Sequence, residues 1–112
     1  PRVEPSFRRE IIDRMIQVPD AASCAAIHFL QETQDLSCGA STGTNLVAAC
    51  QLISEMKSAD RQGSVVTLIC DPGARYRDKY FSADWLAQNG LDTAPWLEKL
   101  RLFHGTGEWP AA

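Results

Sequence analysis

The apolar positions of the chain fall into alternating helical and strand-like runs. Ile11 and Ile12 suit a short helical turn, and Met15 to Val18 form a compact apolar run stopped by Pro19, which predicts a short strand. Asp20 can then cap a helix from Ala21 to about Gln34, with Cys24, Ile27, Leu30 and His28 on its inward stripe. Asp35 to Thr42 reads as a connector of polar and small residues. Ser41 or Thr42 can cap a second helix that turns inward through Leu46, Ala49, Cys50, Ile53 and Met56 and ends at Asp60 to Gly63. Ser64 to Cys70 is apolar and β-branched nearly throughout, the pattern of a parallel strand covered on both faces. Ser82 can cap a short helix carrying Trp85 and Leu86 that Gly90 closes. Pro95 opens another with Trp96, Leu97, Leu100 and Phe103 inward. Pro1 to Phe7 reads as an extended entry segment, and Gly105 to Ala112 is too short and mixed to assign. The order predicts an α/β fold.

Composition narrows the class. A chain of 112 residues with 45% hydrophobic content makes one small domain, or a piece of one. A net charge of -3, from 11 basic and 14 acidic residues scattered along the chain, gives no footprint for nucleic acid or an anionic membrane surface. No apolar run approaches a membrane span, and the first ten residues hold three arginines and two glutamates where a signal peptide would be apolar, so a cytoplasmic protein is expected. Cys24, Cys38, Cys50 and Cys70 lack the close spacing of a zinc clamp or redox dithiol and read as reduced thiols. Cys24 and His28 share a helix face, but two ligands do not make a metal site, and none is expected. The chain opens on proline rather than methionine, which suggests a processed or excerpted sequence.

Two stretches carry the candidate chemistry. Gly39-Ala40-Ser41-Thr42-Gly43-Thr44-Asn45 precedes the second helix, where free N–H groups and the helix dipole favour an anion. The same residues also serve plain helix capping, and they lack a Walker loop or dinucleotide fingerprint. Cys70-Asp71-Pro72-Gly73-Ala74-Arg75-Tyr76 leaves the carboxyl end of the predicted strand, the edge at which open α/β sheets meet ligands. Asp71-Pro72-Gly73 is equally good turn chemistry, with a salt bridge as its alternative use. No pairing of nucleophile and base is apparent from spacing.

At these two stretches the chain resembles the carboxyl-terminal part of the cysteine synthase and cystathionine β-synthase family. The likeness extends through Pro5-Ser6-Phe7, Ile12-Asp13, the alanine-rich helix, Gly63 to Thr67 and Tyr80 to Leu86. The tail, with Asn89-Gly90-Leu91-Asp92, is most similar to actinobacterial members, some of them cysteine desulfhydrases. The resemblance implies a pyridoxal-phosphate enzyme of fold type II, related to the tryptophan synthase β chain: a three-layer αβα sandwich on a mainly parallel sheet, with residues 1–112 as its carboxyl-terminal segment. It implies an amino-acid substrate (cysteine, serine or an acylated serine), β-replacement or β-elimination, and a homodimer. Ser41, Gly43, Asp71 and Pro72 become the residues nearest the cofactor, with Arg75 and Tyr76 bracing the loop.

The same resemblance implies that the Schiff-base lysine and the phosphate cradle lie in a preceding part, so the remainder of the enzyme is the first partner expected. No catalytic residue falls in this chain, which alone should be inactive and would hold the cofactor only with that part. Pro72 stands where the family usually has a serine that meets the pyridine nitrogen, and proline cannot donate that bond. Ala74 replaces an expected glutamate and Asp35 an expected glycine. These departures leave a second reading open, a truncated relative acting as a non-catalytic interaction module. An isolated phosphate-binding domain is a third.

Overall fold

A computed structural model describes residues 5–110. Four helices dominate it: α1 (Asp20–Gln34), α2 (Ala40–Ser58), α3 (Ala83–Gln88) and α4 (Ala94–Thr106), with 3₁₀ turns at Arg9–Ile11 and Gly73–Tyr76. Both α1 and α2 fall where the apolar period places them, and their starts differ in detail. Helix α1 begins at Asp20 itself with Pro19 at the N-cap, and Asp20 sits in the first turn, its carboxylate at the positive end of the helix dipole. Helix α2 has Gly39 at its N-cap and no side-chain cap. Ser41 and Thr42 therefore lie inside the first turn rather than before it. The short helix follows expectation closely: Ser82 Oγ accepts the Trp85 amide at 3.2 Å.

The packing core lies between α1 and α2 and is closed by α4. Ala22, Ala25, Ala26, Phe29, Val47, Cys50 and Leu100 form it, with Val18, Leu46, Trp96, Leu97, Phe103 and Trp109 packed around them. Small residues on α1 let the helices approach closely, and Gly43 marks the tightest point. A Cβ there would collide with the Ser23 carbonyl oxygen and come within 3.0 Å of Ile27 Cγ2. The predicted inward stripe of α1 is half right: Cys24 and Ile27 are buried, Phe29 is buried in place of Leu30, and Leu30 and His28 are half-buried. On α2, Ile53 faces solvent. Beyond α4 the chain folds back, the Trp109 amide donating to Ser54 Oγ at 2.8 Å and Lys57 Nζ to the Thr106 carbonyl at 2.6 Å.

Asp35 ends α1 with φ of 52°, and the Leu36 amide returns to the Leu30 carbonyl at 3.3 Å. This left-handed position is one that glycine occupies most readily. The glycine that the resemblance expects here has a backbone reason.

The described residues contain no strand. Met15 to Val18 and Ser64 to Cys70, both expected as strands, run without ladder partners among the described residues, whose one pairing is an isolated antiparallel bridge between Cys38 and Pro72. A strand is defined by its neighbours, and a run suited to burial on both faces has none among the described residues. Val66, Leu68 and Ile69 are accordingly 87%, 70% and 63% exposed. The described residues thus show helices and no sheet, and the expected sandwich on a mainly parallel sheet is not seen among them. Ile16 and Val65 to Thr67 border one hollow of about 250 Å³ against Asn45, Ala48, Ala49 and Leu52 of α2, so both strand-like runs lie over the same helix.

Candidate functional site

The start of α2 and the loop after Cys70, 30 residues apart in sequence, are tied together by backbone and side chain. The Gly39 amide donates to the Asp71 carbonyl at 2.9 Å and the Gly73 amide to the Ser37 carbonyl at 3.2 Å, on either side of the Cys38–Pro72 bridge. The Cys70 amide donates to Thr42 Oγ1 at 2.8 Å, and Asn45 Nδ2 to the Leu68 carbonyl at 3.2 Å. Thr42, a candidate cap by sequence, therefore holds the opposite loop. Its hydroxyl is buried and supplies the partner that the Cys70 amide needs.

The loop has its own brace. Tyr76 Oη donates to Asp71 Oδ2 at 2.7 Å, and Arg75 Nη1 stands 4.0 Å from Asp71 Oδ1. The hydrogen bond to a carboxylate holds the Tyr76 phenol above its ordinary range, because losing the proton would set two negative groups against each other. The Tyr76 ring covers Gly39, where a Cβ would stand 2.6 Å from Tyr76 Cε2, and stacks on Tyr80, centroids 5.1 Å apart. Tyr80 in turn meets the Trp85 ring edge-on at 5.4 Å. Gly73 is confined in the same way, with no room for a side chain against Ser37 Oγ and the Cys38 amide.

Of the four residues singled out for the cofactor, three sit at this junction. Ser41 is exposed in the first turn of α2 and borders a hollow of about 230 Å³ with Ser23, Thr44, Tyr80 and Trp85. Asp71 is half-buried and carries the Tyr76 bond, and Pro72 is exposed at the rim of a second hollow of about 320 Å³ with Ser37, Gly73 and Arg77. Gly43 is buried one turn deeper, where its missing side chain serves the crossing of α1 and α2. The sequence reading names Gly39, Thr42 and Asn45 within the stretch that opens α2 and Tyr80 within the resembling segment, but gives none of them a part in holding the loop. A signal existed for Tyr80, four residues after Tyr76, but none for the long-range bonds.

Cys24 and His28, which share a face, do not converge. Burial pushes the Cys24 thiol up, while His28 Nε2 donates to the Tyr80 carbonyl at 2.7 Å and its ring stacks on Phe81. Among the described residues no group of three His, Cys, Asp or Glu side chains is placed to hold a metal ion.

No family model matches the chain. Individual relatives do. It is 48% identical over 109 residues to L-cysteine desulfhydrase Cds1 of Mycobacterium tuberculosis, covering 97% of this chain and 30% of that protein. It is 38% identical over 73 residues to Cysteine synthase 2 of Neurospora crassa, covering 65% of this chain and 15% of that one. The chain belongs to the cysteine synthase family, as its carboxyl-terminal part. It is also 33% identical over 87 residues to N-(2-amino-2-carboxyethyl)-L-glutamate synthase of Ralstonia nicotianae, covering 78% of this chain and 25% of that protein. The chain thus spans less than a third of the length of these relatives. The family is one of pyridoxal-phosphate enzymes of fold type II. No described helix is long and apolar enough to cross a membrane.

Proposed function

We propose that the chain is the carboxyl-terminal part of a cytoplasmic pyridoxal-phosphate enzyme catalysing β-elimination or β-replacement on cysteine, serine or an acylated serine. Desulfhydration of cysteine is the leading reaction, because the identity to the mycobacterial desulfhydrase runs over nearly the whole chain. The observation that carries the reading is the joining of the α2 start to the Asp71 loop, which makes the two resembling stretches one surface.

The donor set fits one wall of a cofactor site. It offers the first turn of α2 with an exposed Ser41 hydroxyl, and a loop fixed by Thr42, Tyr76 and Gly39. The cofactor, when bound, supplies the electron sink for loss of the β-substituent. Ser41 and the α2 amides present partial positive charge to an anionic group, while Gly43 keeps that turn tight on α1. Asp71, held by Tyr76 and Arg75, would fix the backbone of Pro72 on the side offered to the cofactor. Pro72 brings neither an N–H nor a hydroxyl, so the ring nitrogen receives no proton from this position.

The bare, apolar Ser64–Cys70 run supports the finer fold reading. In the whole enzyme it is a strand of a mainly parallel sheet, flanked by strands of the remaining part, within a three-layer αβα sandwich. The chain alone is inactive on this reading, and a homodimer is the working assembly.

A non-catalytic interaction module is the second reading. Pro72 and Ala74 favour it, since both replace groups that family chemistry uses. Protein purified from the native gene separates the two. Visible absorption of a lysine-bound cofactor, in a protein well above 12.4 kDa that releases sulfide from cysteine, is expected. A colourless protein without that turnover would overturn the enzyme reading.

A further inference from the structure

Cys38 and Cys70 are the pair of cysteines that the fold brings to one place. In the antiparallel bridge Cys38 faces Pro72, so Cys70, two residues earlier on the second segment, is its diagonal neighbour on the same face. The Thr42 hydroxyl, beside the buried Cys38 thiol, accepts the Cys70 amide at 2.8 Å. Cys70 is exposed, with Asn45 Nδ2 3.7 Å from its sulfur, whereas Cys24, Cys38 and Cys50 are buried. Burial raises the thiols of Cys24, Cys38 and Cys50 alike, so it is the place of Cys38 at the bridge beside Cys70 that marks it as the partner.

We propose that Cys38 and Cys70 form a reversible disulfide on exposure to hydrogen peroxide, tying the start of α2 covalently to the Asp71 loop. The Cys70 thiolate attacks one peroxide oxygen and the O–O bond breaks, leaving a sulfenic acid and hydroxide, which takes up a proton to become water. Cys38 then attacks the Cys70 sulfur. The S–S bond forms, the S–O bond breaks, and the departing hydroxide leaves as a second water. Two thiols lose two electrons in all, and the peroxide is reduced to two waters.

The geometry sets the demand on the backbone. Diagonal neighbours in such a ladder have Cα atoms roughly 7–8 Å apart, and a disulfide spans up to about 7 Å. Closure to the usual span of about 5.5–6 Å therefore needs the two segments to approach by roughly 1–2 Å. Cys70 can supply it, because it stands where the second segment leaves the ladder and Ser64 to Cys70 is unpaired.

The test uses the full-length protein from its native gene, treated with equimolar hydrogen peroxide, alkylated with iodoacetamide and digested without reductant for mass spectrometry. Of the four cysteines of this segment, two become resistant to alkylation, and the Cys38 and Cys70 peptides appear cross-linked. Dithiothreitol reverses both changes. In Cys70→Ser the peroxide-dependent loss falls from two thiols to none, with Cys38 still alkylated. A Cys70 peptide oxidised without cross-linking, a bond from Cys70 to Cys24 or Cys50, or no thiol loss at all would each overturn the proposal.

Discussion

Replacing Gly43 with alanine sets two opposing effects against each other at one position. Alanine in a helix interior is about 1 kcal/mol more favourable than glycine, so Gly43→Ala would stabilise α2 if the site were open. It is closed: the new Cβ meets the Ser23 carbonyl oxygen and comes within 3.0 Å of Ile27 Cγ2. A backbone carbonyl inside α1 cannot rotate away as a side chain would, so the helices must separate and loosen the packing of Ala22, Ala25 and Ala26 against α2. Overpacking of this kind costs typically about 1–3 kcal/mol. With an immovable partner the upper end applies, and a net loss of about 2 kcal/mol is expected once the helix gain is subtracted. Gly105, in α4 with nothing within 4 Å of its Cβ position, is the control. Gly105→Ala should gain about 0.5–1 kcal/mol. Urea unfolding followed by far-ultraviolet circular dichroism reads both. Ile27→Val leaves the carbonyl in place and should not restore Gly43→Ala. A Gly43→Ala protein as stable as the parent would refute the close crossing of α1 and α2.

Leu100, 1% exposed between α4 and the alanine face of α1, should lose about 2–5 kcal/mol on Leu100→Ala, measured in the same unfolding assay. Asp35→Gly should gain up to about 1 kcal/mol, because φ of 52° is relieved at the end of α1. Glu32 and Glu55 are each held below the ordinary carboxylate range by a hydrogen bond from arginine, Arg101 and Arg14 respectively. Their contribution is complete above about pH 4.5 and is lost as pH falls through the lowered values, so Glu32→Gln should flatten the acid limb of a stability–pH curve. Tyr76 has the opposite sign. Its raised pKa gives a contribution complete below about pH 10 and lost as pH rises further, and Asp71→Asn should move the phenolate absorbance titration of Tyr76 downward.

The helices were legible because helical order is local. The period of Cys24 and Ile27, Ser82 before Trp85, and Pro95 at the first turn of α4 each state their result within one turn of chain. Errors came where a residue had two uses. Phe29 displaced Leu30 from the core because α1 is covered on two sides, by α2 and α4, which widens its buried face beyond one stripe. Thr42 looked like a cap and became the anchor of Cys70, since Gly39 already sits at the N-cap and leaves the hydroxyl free to serve a segment 28 residues away. Spacing along the chain holds no record of such a bond.

The strand-like runs pose a different question, because there the sequence and the described structure disagree for a physical reason. Ser64 to Cys70 holds no charged residue and no proline, and its β-branched side chains suit a surface covered on both faces. Such a run is stable only when neighbours satisfy its amides and hide its side chains. Yet the end of the segment is fixed, since Leu68 and Cys70 are held by Asn45 and Thr42 and the loop beyond is locked by Gly39, Gly73 and Tyr76. The contacts that build the candidate wall are therefore internal to this segment, while those that would complete a sheet are not. The two are separable: a change at Thr42 should weaken the junction while leaving the exposed apolar run as it is, and a change at Val66 or Ile69 should do the reverse.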